Sequence, residues 1–302
     1  MPEALLDAAS SVMPAMRRRS RRLELGRRLR APVLHILLTG LAFVMLYPVL
    51  WMIASSLRPD NELFTTSSLI PSHPTVENYI KGWEFMGRRS FGSFFVNSFA
   101  ICGLAVAGNL ISCSMAAYAF ARLRFRGRGL WFALMLGSIM LPVHAQLIPQ
   151  YILFLKIGWL NTILPLVVPK FLAVDAFFIF LMVQFMRTLP VELEQAAQLD
   201  GAGFWQRYFY VILPLSMPAL VTTAVFTFIF VYNDYLSQLI YLTSDTKMTV
   251  PLALRLFIDT GGGTSSYGGM FAMSVLSLVP VLTLFLLAQR HIVHGFATSG
   301  IK

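Results

Sequence analysis

The sequence predicts an all-α polytopic membrane protein with six transmembrane helices, and three observations predict it. First, 57% of the 302 residues are hydrophobic and 13% are charged, about half the ~25% charge of an average soluble domain. Second, the mean hydropathy is +0.68. Third, the apolar residues fall in runs of the ~20 residues needed to cross a ~30 Å hydrocarbon core. The runs lack the alternating polarity of membrane strands, so helices and not a barrel follow. The same composition excludes disorder, coiled coil, collagen and small disulfide scaffolds.

Residues 1–30 read as a basic cytoplasmic tail, with eight arginines between Arg17 and Arg30. No zinc-finger spacing, RNP-like segment or recognition-helix pattern accompanies them, so nucleic acid is not the expected partner. Beside an apolar run they read as an orientation signal and a contact with anionic membrane lipid. Residues 31–302 form the transmembrane domain, with spans at about 33–57, 92–121, 129–153, 163–187, 209–240 and 269–289. The first is too long for a signal-peptide core and lacks a small-residue cleavage site. The fourth is interrupted by Lys170 and Asp175. It counts as a span because six crossings put both ends on one side. Of the Lys and Arg residues, 16 fall on the side of the termini and 8 on the other. That excess places both termini in the cytoplasm of a multi-pass bacterial inner-membrane protein. Two long external segments result, near 58–91 and 241–268. Prolines at 48, 142, 149, 165, 169, 214, 218 and 280 read either as kinks around a pathway or as the ordinary proline content of membrane helices. Cys102 and Cys113 sit eleven residues apart in one run, about 16 Å along a helix, too far to bridge.

The stretch 188–210 is too polar to span and longer than a simple connection requires. Pro190 opens a short helix, Glu192 and Glu194 occupy its first turn, Ala196 and Ala197 give it a close-approach face, and Gly201 and Gly203 stop it. The aromatic residues Phe204, Trp205, Tyr208, Phe209 and Tyr210 lead back toward the membrane. The stretch reads as a cytoplasmic docking surface.

Gln195-Ala196-Ala197-Gln198-Leu199-Asp200-Gly201-Ala202, followed by Val211-Ile212-Leu213-Pro214, resembles the EAA loop of binding-protein-dependent ABC importer permeases. Gln195 stands where that family has its first glutamate, although Glu194 precedes it. Pro74-Thr75-Val76-Glu77-Asn78-Tyr79 resembles the P-T-x-E-N-Y signature of maltose/glycerol-phosphate-type sugar permeases. Tyr232-Asn233-Asp234-Tyr235 resembles their W-N-[DE]-[FY] segment, and Gly295–Lys302 the ending of the MalG-like subunit. The resemblance covers about residues 33–302 and implies the type I ABC importer permease fold. It also implies a coupling helix made of Glu192, Glu194, Gln195, Ala196, Ala197, Asp200, Gly201 and Ala202. The implied partners are a second, MalF-like permease subunit, a dimer of ATPase subunits and an extracytoplasmic sugar-binding protein. ATP and Mg belong to the ATPase subunits, and this chain carries no cofactor, metal or catalytic residue. Independently of the family, no Gly-Lys pair occurs in the chain, so a phosphate-binding loop must come from elsewhere. The glycines at 261–263, 268 and 269 read as a flexible external segment.

For the solute path the candidates are Asn233, Asp234, Asp175 and Gln146, the polar groups at membrane depth or near its edge. Asp175 also reads as a structural group. Its spacing from Lys170 suits no ion pair on a regular helix. His35, His73, His291 and His294 show no metal-ligand spacing. Two rivals remain open: an importer for a non-sugar solute, and an ion-coupled secondary transporter, which would show matching halves. A membrane enzyme would need a convergent catalytic cluster within the spans.

Overall fold

The computed structural model describes residues 32–65, 68–84, 90–258 and 266–297, with the side chains of the last segment described through 289. The basic tail, Gly261–Gly263, the side chains of His291 and His294, and Thr298–Lys302 lie outside the described residues.

The chain opens with α1 (Pro32–Ser56), apolar and almost wholly exposed. A short helix, α2 (Glu77–Trp83), leads to the long α3 (Gly92–Arg122). Next come α4 (Arg128–Ser138) and α5 (Val143–Lys156). The expected span at 129–153 is divided between these two. The chain winds down through tight turns, Met140 N–H to Gly137 O and Leu141 N–H to Ser138 O. It then meets Pro142, which has no donor to continue a helix.

The expected span at 163–187 is present as one apolar unit, Leu164–Thr188. It comprises α6 (Leu164–Val167), a 3-10 turn (Val168–Leu172) and α7 (Ala176–Thr188). Ala173, at φ +53°, breaks it in the left-handed region. After α8 (Glu192–Leu199), α9 (Phe204–Leu215) and α10 (Met217–Tyr232) meet at a 74° elbow. The expected 209–240 span therefore bends at Ser216 and ends at Tyr232, before α11 (Leu236–Tyr241). Pro214 and Pro218 flank the elbow, and Arg207–Ile212 is wound as a π-helix, a wider turn that local insertions produce. The described chain closes with α12 (Val250–Leu256) and α13 (Tyr267–Ala297). Four described helices are long and apolar enough to cross a membrane, or five if α9 and α10 form one bent span.

α3 is the bundle's axis. Its buried faces pack against α7 on one side and α10 on the other. Two apolar cores form along it. The outer one gathers Phe91, Ile101, Tyr241, Phe257 and Met273. The inner one gathers Tyr118, Met182, Met186, Tyr208 and Ile212. Cys102 and Cys113 are free and buried, one in each core.

Gly268 and Gly269 do not loosen the external segment. A Cβ on Gly268 would lie 2.6 Å from the Asn78 side chain, and one on Gly269 3.0 Å from Phe257. Gly268 permits close packing of α13 against α2, and Gly269 its close approach to Phe257 at the end of α12.

Candidate functional site

Two surfaces contain the sequence-predicted site residues other than Asn233: the helix of the 188–210 segment and a cavity beside α7.

α8 begins at Glu192, two residues after Pro190. Its carboxyl end is a Schellman motif. Ala202 N–H donates to Ala197 O at 2.9 Å and Gly201 N–H to Gln198 O at 3.1 Å. Gly201 sits at φ +82°, the left-handed position that glycine takes without penalty. The next turn is tied by Gly203 N–H to Gln206 Oε1 at 2.7 Å and Arg207 Nη1 to Gln198 Oε1 at 3.2 Å. The motif residues thus fix the geometry of the helix end.

One residue of α8 is turned fully inward. Glu194 is buried beside Tyr118 of α3, with Arg122 and Arg207 as further charged neighbours of that tyrosine, and its Oε1 has no hydrogen-bond partner among the described residues. Glu192, Gln195, Ala196 and Asp200 are exposed, and Ala197 and Ala202 are half-buried. Leu199 is 89% exposed, an unusual state for a leucine on an ordered helix. Glu194 therefore does not replace the outward glutamate that Gln195 lacks. It faces α3 instead.

The arginines counted for orientation also do local work. Arg122 Nη2 donates to Met186 O and Leu189 O, each at 2.7 Å, which satisfies carbonyls at the end of α7. Arg187 lies 5.3 Å over the Phe132 ring. Of the aromatic cluster, Tyr208 is buried and hydrogen-bonds Ser114 at 2.7 Å, whereas Trp205, Phe209 and Tyr210 stay exposed.

The cavity holds about 590 Å3 between α7, the α4–α5 break and the α10–α11 junction. Gln146, Asp175 and Asp234 line it together. Asn233 does not. Its amide turns back onto Ile229 O at 2.8 Å. Lys170 and Asp175 form an ion pair at 2.8 Å, contrary to the spacing argument. The intervening chain is not a regular helix, because the 3-10 turn and Ala173 fold Lys170 back over Asp175.

The Asp175 oxygen that accepts from Lys170 also accepts from Asn109 Nδ2 at 2.6 Å. Asn109 in turn donates to Thr227 Oγ1 at 3.0 Å. This cluster joins α3, the 3-10 turn, the start of α7 and α10. The sequence reading missed Asn109. Its signal was an amide in the middle of an otherwise apolar run, where a polar group needs a protein partner. Gln150 was missed too. It lines the cavity and accepts from the Tyr241 hydroxyl at 3.3 Å.

The outer signature has a structural role. Asn78 Nδ2 donates to Ser56 O at 3.0 Å and Arg58 O at 2.6 Å, and the Tyr79 and Ser56 hydroxyls bond at 2.8 Å. Thr75 N–H donates to Leu57 O at 2.8 Å. These residues lock the end of α1 to α2.

A helical membrane bundle with a polar cavity and an ordered, outward-facing loop helix is a multi-pass membrane transport component. The comparisons make that class specific. Residues 108–297 match the family described as binding-protein-dependent transport system inner membrane component. The trehalose/maltose transport system permease protein of Thermococcus litoralis is 32% identical over 87% of this chain and 93% of its own length. The sn-glycerol-3-phosphate transport system permease protein of Yersinia pestis is 32% identical over 88% of this chain and 95% of its own. A bacterial ABC transporter structure, involved in the import of the acidic polysaccharide alginate, shares the fold. It matches with TM-score 0.78 and 22% identity, over 88% of this chain and 97% of that one. The chain belongs to the binding-protein-dependent transport system inner membrane component family and is a transport permease.

Proposed function

We propose that this chain is the MalG-like permease half of an ATP-driven importer for a sugar or related carbohydrate. A second, MalF-like permease completes the pathway. A dimer of ATPase subunits binds ATP and Mg on the cytoplasmic side, and an extracytoplasmic binding protein delivers the solute. Both termini face the cytoplasm.

The observation that carries this reading is the state of α8. Its end is fixed by the Schellman motif and its inward face buries Glu194 beside Tyr118 of α3, yet Leu199 and Ala196 are displayed. A rigid helix with an apolar displayed face suits a groove on another protein. Movement of that partner reaches α3 through Glu194 and Tyr118, and reaches α10 through α9. A two-state rearrangement of the bundle then alternates access. The names of the relatives, which include trehalose/maltose and glycerol phosphate, support a carbohydrate or polyol solute.

Gentle solubilisation and affinity purification of the tagged chain test the reading. An ATPase subunit and a second permease should co-elute, with ATP turnover raised by sugar-loaded binding protein. A lone chain or homo-oligomer that moves solute without an ATPase overturns it.

A further inference from the structure

The family leaves the charge of the solute open, because relatives carry names of neutral and of anionic solutes. The cavity supplies a physical criterion. Its charged lining residues are Lys170, Asp175 and Asp234. Lys170 and Asp175 neutralise each other, and the engaged Asp175 oxygen is held a second time by Asn109. What remains is the charge of Asp234.

Asp234 is held in place without being neutralised. Its Oδ1 accepts the Ser237 N–H at 3.0 Å, capping α11. Among the described residues its other oxygen has no hydrogen-bond or ion-pair partner. Gln146, Gln150 and Ser237 line the same cavity, with the exposed rings of Phe177 and Phe230. Amides, a hydroxyl and aromatic faces suit the hydroxyls and the apolar face of a sugar ring. The volume of about 590 Å3 falls in the usual range for a small-molecule site. A single uncompensated charge in a cleft with apolar walls attracts its counter-charge and repels its own sign.

We propose that this cavity is the chain's own solute contact and that Asp234 sets its sign. It admits uncharged or cationic polyhydroxylated solutes and turns away anionic ones such as phosphate esters and uronic acids. The solute identity rests on the importer reading; the charge selection is a property of the cavity itself.

The test is charge-dependent thiol labelling in the assembled complex, reconstituted into liposomes. Ser237→Cys places a thiol in the lining, while native Cys102 and Cys113 are buried and the unsubstituted chain gives the background. Methanethiosulfonates bearing trimethylammonium or sulfonate groups are compared, each rate divided by that with a free thiol. The cationic reagent should react about tenfold faster than the anionic one. Adding Asp234→Asn, which can keep the cap on α11, should bring the ratio close to one. Adding Asp234→Glu should restore it.

Equal rates on Ser237→Cys, a ratio insensitive to Asp234→Asn, or no labelling by either reagent overturns the proposal. ATP-dependent sugar uptake by the same liposomes reports separately on the importer reading. Its absence with the charge preference intact removes the importer and leaves the cavity's selection standing.

Discussion

The external signature at Pro74–Tyr79 and the loop helix α8 are both short motifs outside the spans, but they use their side chains in opposite directions. Around α2, Asn78 and Tyr79 are turned onto the end of α1, and the chain itself is the partner. Around α8, Glu194 is the buried residue, and the displayed residues include Gln195, Ala196 and Leu199. A recurring motif is therefore not one kind of evidence. The first reports how the permease holds together, and the second reports what it is shaped to meet.

The two glycines that serve these motifs sharpen the contrast. A Cβ at Gly201 meets nothing within 4 Å, so a side chain there fits the bundle and burdens only the helix end and whatever docks on it. Gly201→Asp should abolish ATP-driven uptake while the chain remains inserted and assembled. Its left-handed φ adds about 1–2 kcal/mol of local strain. Normal uptake in this variant breaks the comparison at its most exposed point.

Gly268→Ala acts in the other direction. It displaces Asn78 from two buried carbonyls, so a loss of about 2 kcal/mol is expected. The readout is a lower melting temperature of the detergent-solubilised complex, with unchanged ATP turnover per folded complex. A normal melting temperature combined with failed coupling would reverse the assignment of the two regions.

Leu199→Ser should leave thermal stability within about 0.5 kcal/mol, as for other exposed positions. It should weaken co-purification of the ATPase subunit several-fold. Equal recovery of that subunit would remove Leu199 from the docking face. The smallest effect is expected from Gln195→Glu, which restores the family's carboxylate at an exposed position. An exposed ion pair contributes about 0.2–1 kcal/mol, so sugar-stimulated ATP turnover should change less than about fivefold. A larger change would mean that Gln195 is enclosed on docking.

The helical membrane class was legible because apolar run length answers to bilayer thickness alone. α3 was read nearly to its ends, from 92–121 to Gly92–Arg122, since no proline or charge interrupts that run. The breaks were less legible. Pro142 announced a kink, but not that α4 and α5 would each be too short to cross. Ala173, an ordinary residue, gave no sign of its left-handed turn, and the Lys170–Asp175 pair was missed with it. The spacing argument assumed a helix where the chain bends. In the cavity, Gln146, Asp175 and Asp234 were found because polar groups in apolar runs are conspicuous. Sequence alone could not separate the acid already held by Lys170 and Asn109 from the acid left open. That distinction depends on α3 and the 3-10 turn meeting the start of α7.

The 74° elbow at Ser216 has a mechanical consequence. Two rods joined nearly at right angles do not pass a thrust from one to the other along a common line. A displacement of α9 along its own axis arrives at α10 as a sideways shove at one end, and a rod pushed there swings. With α10 packed against α3 and α13, the joint has the geometry of a crank: under the proposed importer function, a short stroke at the loop helix would become rotation of the wall that carries Phe230 and leads to Asp234.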